Sequence, residues 1–122
     1  MKTLFITIIS YILIFFNSNL LSDENNNTLK IGLLAPFSGE YKDLGESLLY
    51  SLQLALSEIN DKKVFVIPRD SGSNNKEKLI RAVEEIRSEG ANIIIGPINN
   101  NDFNEVKRFN DLIFISPSNI NP

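Results

Sequence analysis

The chain has 122 residues, 43% of them hydrophobic and 22% charged, and a formal net charge of −3. A mildly acidic chain of this size has room for about one domain and no electrostatic reason to seek nucleic acid or an anionic membrane surface. It contains no Cys and no His, which excludes disulfides, thiolate chemistry, a Cys-based zinc site and any Ser–His–Asp arrangement.

The N-terminus opens with a positive residue, Lys2, followed by an apolar run over residues 4–16 (LFITIISYILIFF) and then by Asn17, Ser18 and Asn19. Positive, apolar, polar is the layout of a secretory signal peptide. The run falls short of the roughly 20 residues that a comfortable membrane span needs. Residues 1–22 are therefore expected to direct export to the periplasm, with cleavage near Ser22 and Asp23; an uncleaved N-terminal anchor is the alternative. No Cys follows the run, so a lipid-modified Cys is excluded. Residues 23–28 read as a disordered polar linker, and the sequon Asn26-Asn27-Thr28 reads as chance.

The remaining chain alternates short apolar runs with helical periodicity. Residues 29–35 (LKIGLLA), ended by Pro36, read as a buried strand. A helix is expected over about 41–59, where Leu44, Leu48, Leu52, Leu56 and Ile59 fall on one face. Residues 64–67 (VFVI) form the second predicted strand, with Pro68 at its exit, and a loop follows over 70–75 (DSGSNN). The next helix is predicted over 76–89 with an apolar stripe of Leu79, Ile80, Val83 and Ile86, and Gly90 suits the left-handed residue past its end. Its charged runs, Lys76-Glu77-Lys78 and Glu84-Glu85, read as a solvated face. Residues 92–96 (NIIIG) form the third strand, residues 102–109 a short helix burying Phe103, Val106 and Phe109, and residues 112–115 (LIFI) the fourth strand.

Apolar strands alternating with helices argue an α/β fold, a Rossmann-like doubly wound parallel sheet covered on both faces. The alternation stops where a further helix is expected, so the chain reads as a fragment, or as half of a larger receptor. Ligands of such sheets sit outside the carboxyl ends of the strands. Four loops meet there, at 36–40, 70–75, 97–101 and 116–119, rich in Ser, Asn and Gly with Asp70 near the edge. That surface suits binding of a small polar molecule better than chemistry. No G-x-G-x-x-G follows the first strand, no P-loop and no G-x-S-x-G elbow is present, and Gly96-Pro97 stands where a receiver domain needs its Asp. No cofactor, metal or catalytic residue is expected, and the chain does not read as an enzyme.

The residues Lys30-Ile31-Gly32-Leu33-Leu34-Ala35-Pro36-Phe37-Ser38-Gly39 with Gly45, the run 55–60 (ALSEIN), Asp70-Ser71, the run 90–97 (GANIIIGP) and the run 115–119 (ISPSN) follow one another in an order that resembles the type 1 periplasmic binding proteins, the group of the leucine/isoleucine/valine receptors. The resemblance covers residues 29–122. It implies a two-lobed receptor that closes on its ligand, with this chain as the incomplete N-terminal lobe. It also implies that the loops after the third and fourth strands meet the ligand. Asn99-Asn100-Asn101 stands where the family's amino-acid receptors offer Ser, and Asn119-Ile120 where they offer a small residue and Thr. The short link over 60–63 and the Asn residues after Gly-Pro-Ile resemble a branch of penicillin-binding protein activators.

Two functions follow as expectations. The first is a non-enzymatic solute-binding protein that takes a small polar, amino-acid-like ligand for an ABC permease; the alternative is a regulator that contacts a cell-wall synthase. The candidate ligand-binding residues are Ser38, Gly39, Asp70, Asn99, Asn100, Ser116, Ser118 and Asn119. Pro36, Pro97 and Pro117 are expected to be structural, and Phe37 to pack on the first helix.

Overall fold

The computed structural model describes residues 28–117. The expected signal peptide, most of the expected linker, and Ser118 and Asn119 lie outside the described residues. Within them the order is β1 (Leu29–Ala35), α1 (Lys42–Ile59), β2 (Val64–Asp70), α2 (Lys76–Ser88), β3 (Ile93–Ile95), α3 (Asn100–Val106) and β4 (Ile113–Ile115). The four strands are all parallel and lie in the order β2-β1-β3-β4. The chain thus moves one way from β1 to β2 and the other way from β3 to β4, which is the doubly wound arrangement.

The pleat of β1 divides the molecule into two layers. Leu34 joins Leu79, Val83 and Ile86 of α2 with Ile94 of β3 and Val106 of α3 in the core. Gly32 lies on that same face, where a Cβ would run into Ile86. Leu33, between them, points to the opposite face and is fully buried. Phe103 and Phe114 close the far end of the core edge to face, 6.5 Å between ring centres. A central strand buried on both faces accounts for the unbroken apolar run at 31–35.

Local chemistry explains the helix starts. The side chain of Asn75 accepts the N–H of Lys78 at 2.9 Å and begins α2, and Asn99 accepts the N–H of Asn101 at 2.8 Å and begins α3. Gly90 takes the expected left-handed conformation, φ 88°.

Three expectations need correction. β2 does not end before Pro68 but runs through it to Asp70, paired residue for residue with β1. β2 is an edge strand, where a missing N–H is tolerated. The third helix starts two residues earlier than expected, because Asn99 caps it, and ends at Val106; Phe109 sits in the following turn yet still packs on the core. The leucine stripe of α1 is only half sheltered: Leu44 is 49% and Ile59 65% exposed. Among the described residues, α1 packs on β1, and that strand alone is too narrow to cover the whole stripe.

Candidate functional site

A cavity of about 330 Å³ opens at the carboxyl ends of β1, β2 and β3, where the strand order reverses. That is the position at which open α/β sheets bind ligands, and the volume is at the lower end of the usual range for small-molecule sites. Three loops and the start of α1 supply its wall. Pro36 comes from the loop after β1, Ser71, Gly72, Ser73 and Asn74 from the loop after β2, and Ile98, Asn99, Asn100 and Asp102 from the segment after β3. Tyr41 and Leu44 come from the first turn of α1 and its approach. Gly45 makes that approach possible: a Cβ there would stand 2.0 Å from the Pro36 carbonyl oxygen. The lining is therefore mixed: Pro36, Tyr41, Leu44 and Ile98 offer apolar surface, and the Ser, Asn and Asp side chains offer hydroxyls, amides and one carboxylate.

Asp70 is the knot that ties two of these loops. Its Oδ1 accepts the backbone N–H of Phe37 and of Gly72, each at 2.9 Å. Lys78 donates to its Oδ2 at 2.5 Å and to Ser38 Oγ at 3.2 Å. Burial alone would raise the Asp70 carboxyl, but hydrogen bonds from Lys78, Ser38, Gly72 and Phe37 prevail and hold it well below the usual carboxylate range. The hydroxyl of Ser73 adds a bond to the carbonyl of Ser38 at 3.2 Å. The loop after β1 and the loop after β2 thus form one unit. Lys78, read from sequence as part of a solvated face, belongs to it.

Asp102 has the opposite environment. It is half-buried on the cavity wall, and burial first, then the charge of Glu105, pushes its carboxyl above the ordinary value. Glu105 is itself paired with Lys76 at 2.5 Å.

The candidate residues separate accordingly. Asn99 and Asn100 line the cavity. Ser38 and Asp70 stand behind its wall, bonded to each other through Lys78, and Gly39 is exposed beside them. The hydroxyl of Ser116 donates to the carbonyl of Pro97 at 3.1 Å, across the ends of β4 and β3. Tyr41, Leu44, Ser71, Ile98 and Asp102 line the cavity without having been singled out. In the sequence Tyr41 is the start of a helix and Leu44 part of its apolar face, and only the strand order shows that the first turn of α1 opens onto the switch point.

Among the described residues, no group of carboxylates converges where a metal ion could be held, and no helix is long and apolar enough to cross a membrane. The arrangement can desolvate a small molecule against Tyr41, Leu44 and Ile98 and orient it through Ser, Asn and one acid.

Residues 28–122 match the sequence pattern of the family described as "Periplasmic binding protein". The chain is similar to a solute-binding protein of an ABC transporter from R. palustris, solved in complex with benzoate. Identity is 27% and the TM-score 0.64, over 75% of this chain and 27% of that one. It is also similar to a solute-binding protein of an ABC transporter from Rhodopseudomonas palustris BisB5, solved in complex with 3,4-dihydroxybenzoic acid. Identity there is 27% and the TM-score 0.52, over 57% of this chain and 20% of that one. The chain therefore spans about a quarter of the length of these structures. No curated protein matches it significantly.

Proposed function

The chain belongs to the periplasmic binding protein family, and on that premise we propose that it forms part of the first lobe of an exported receptor that captures a small molecule for an ABC importer. The cavity at the switch point of the sheet carries this reading. It is walled by loops from three strands, two of them locked together by Asp70 and Lys78. A second lobe closing over this edge would seal the ligand from water. The two solved relatives are both transporter receptors, which supports delivery to a permease; the cell-wall alternative gains no observation of its own. Export through residues 1–22, with residues 29–122 as the lobe, completes the proposal.

The ligand class follows from the wall. Pro36, Tyr41, Leu44 and Ile98 suit a compact apolar or aromatic body, and Ser71, Ser73, Asn99 and Asn100 suit a polar head. An amino acid with an aliphatic or aromatic side chain fits both halves. So does the ring of the relatives' aromatic acids, while their carboxylate meets no Lys or Arg in this wall.

The test is thermal unfolding of the full-length protein against a panel of amino acids and aromatic acids. A ligand present at a hundred times its Kd should add about 2.7 kcal/mol of stability and raise the Tm accordingly. Absence of any shift across the panel, with co-purification of a cell-wall synthase, would overturn the importer reading.

A further inference from the structure

We propose that Asp102 is a specificity-determining residue of this cavity, selecting ligands that present an N–H donor or an ammonium group to the wall formed by α3. The inference rests on the receptor reading above and deepens it by naming the chemistry of the ligand's head.

Three observations converge on it. First, Asp102 lines the same cavity as the apolar residues Tyr41, Leu44 and Ile98, half-withdrawn from water. Second, no side chain or backbone group among the described residues donates a hydrogen bond to its carboxylate. The other acid close to it, Glu105, carries the same charge. Third, the neighbouring cations are engaged elsewhere: Lys76 pairs with Glu105, and Lys78 is held by Asp70 and Ser38. The cavity lining contains no Lys and no Arg.

A ligand that closes over this wall strips the remaining water from an unpaired carboxylate. That step is unfavourable unless the ligand replaces the lost hydrogen bonds. An ammonium or amide N–H does so, and a charge-assisted bond in a sheltered cavity is among the stronger polar contacts. A bare carboxylate facing Asp102 adds repulsion. An aromatic acid could enter only with its carboxylate turned away from α3. The position also separates two roles that share one chemistry. Asp70 is saturated by the protein itself, whereas Asp102 is left for the ligand.

The experiment compares the full-length protein with Asp102→Asn, which keeps the shape and removes the charge. Binding is read by calorimetry for benzylamine, benzamide and benzoate, three probes with one ring and different heads, and for the amino acids. The expected result is that the bound probes carry an N–H donor and that D102N weakens the amines by about 10- to 100-fold. The unliganded variant should melt no lower than the parent, because the change relieves an unpaired charge beside Glu105. Donor-bearing probes that bind D102N as tightly as the parent would overturn the inference. So would a parent that takes only benzoate and loses nothing on substitution; in both cases the receptor reading stands. A parent that binds no probe would bring down the receptor reading, and this inference with it.

Discussion

Replacing Gly96 with alanine is expected to destabilise the chain by about 4 kcal/mol, the sum of backbone strain and a steric overlap that nothing can relieve cheaply. Gly96 follows β3 with φ 110°, a region that L side chains rarely adopt. A Cβ built on it stands 2.1 Å from the carbonyl oxygen of Leu34 and 3.0 Å from its carbonyl carbon. That backbone cannot yield, because Leu34 sits in the central strand with its side chain fully buried in the core. The Gly96 N–H also donates to the carbonyl of Ile115 at 2.8 Å, holding β4 in place. An added methyl group would thus prise β3 from β1 at the switch point and carry Ile98, Asn99 and Asp102 with it. The loss is a large fraction of the stability of a domain this small. Chemical denaturation of the full-length protein measures it, and a cost below about 1 kcal/mol would show that the backbones do not approach as described.

Asp70→Ala should cost about 3 kcal/mol, through two orphaned backbone N–H groups and an ammonium left without its partner. Asp70→Asn should cost less, since an amide oxygen can still accept from Phe37 and Gly72. The pH dependence separates the two contributions. The Asp70 carboxyl is held below its ordinary value of 3.8 in the folded state. Its stabilisation is therefore present above that value and is lost as pH falls below it towards the folded value. The parent should show this acid arm and Asp70→Asn should lack it. Equal acid arms in the two proteins would contradict the assignment of Asp70 as the clamp between the loops.

The architecture was legible in the sequence because the strands are short, apolar and bounded by Pro, Gly and Asn, and because the helices between them repeat at helical spacing. The alternation of the two leads directly to a parallel, doubly wound sheet. Edge effects were not legible. Pro68 looks like a stop in a linear reading, and only the placement of β2 at the edge of the sheet lets the strand run on to Asp70. The stripe of α1 identifies a face but not how fully that face is covered, which depends on neighbouring elements. In the site, Asn99 and Asn100 were within reach, since they follow a buried strand in an α/β order. Lys78 was hidden inside a charged run, and its role needs the distance to Asp70, eight residues away across a turn. Tyr41, Leu44 and Asp102 were hidden by their helices, whose first turns happen to face the switch point.

The central claim is that this edge of the sheet is where the receptor takes its ligand. Amide hydrogen exchange of the full-length protein, with and without the best ligand from the thermal panel, tests it most directly. Protection on binding is predicted in residues 36–44, 71–74 and 98–102, with little change at the opposite ends of the strands, in residues 61–64 and 110–113. A bound ligand that leaves those three segments unchanged, or that protects the opposite edge instead, would contradict the account.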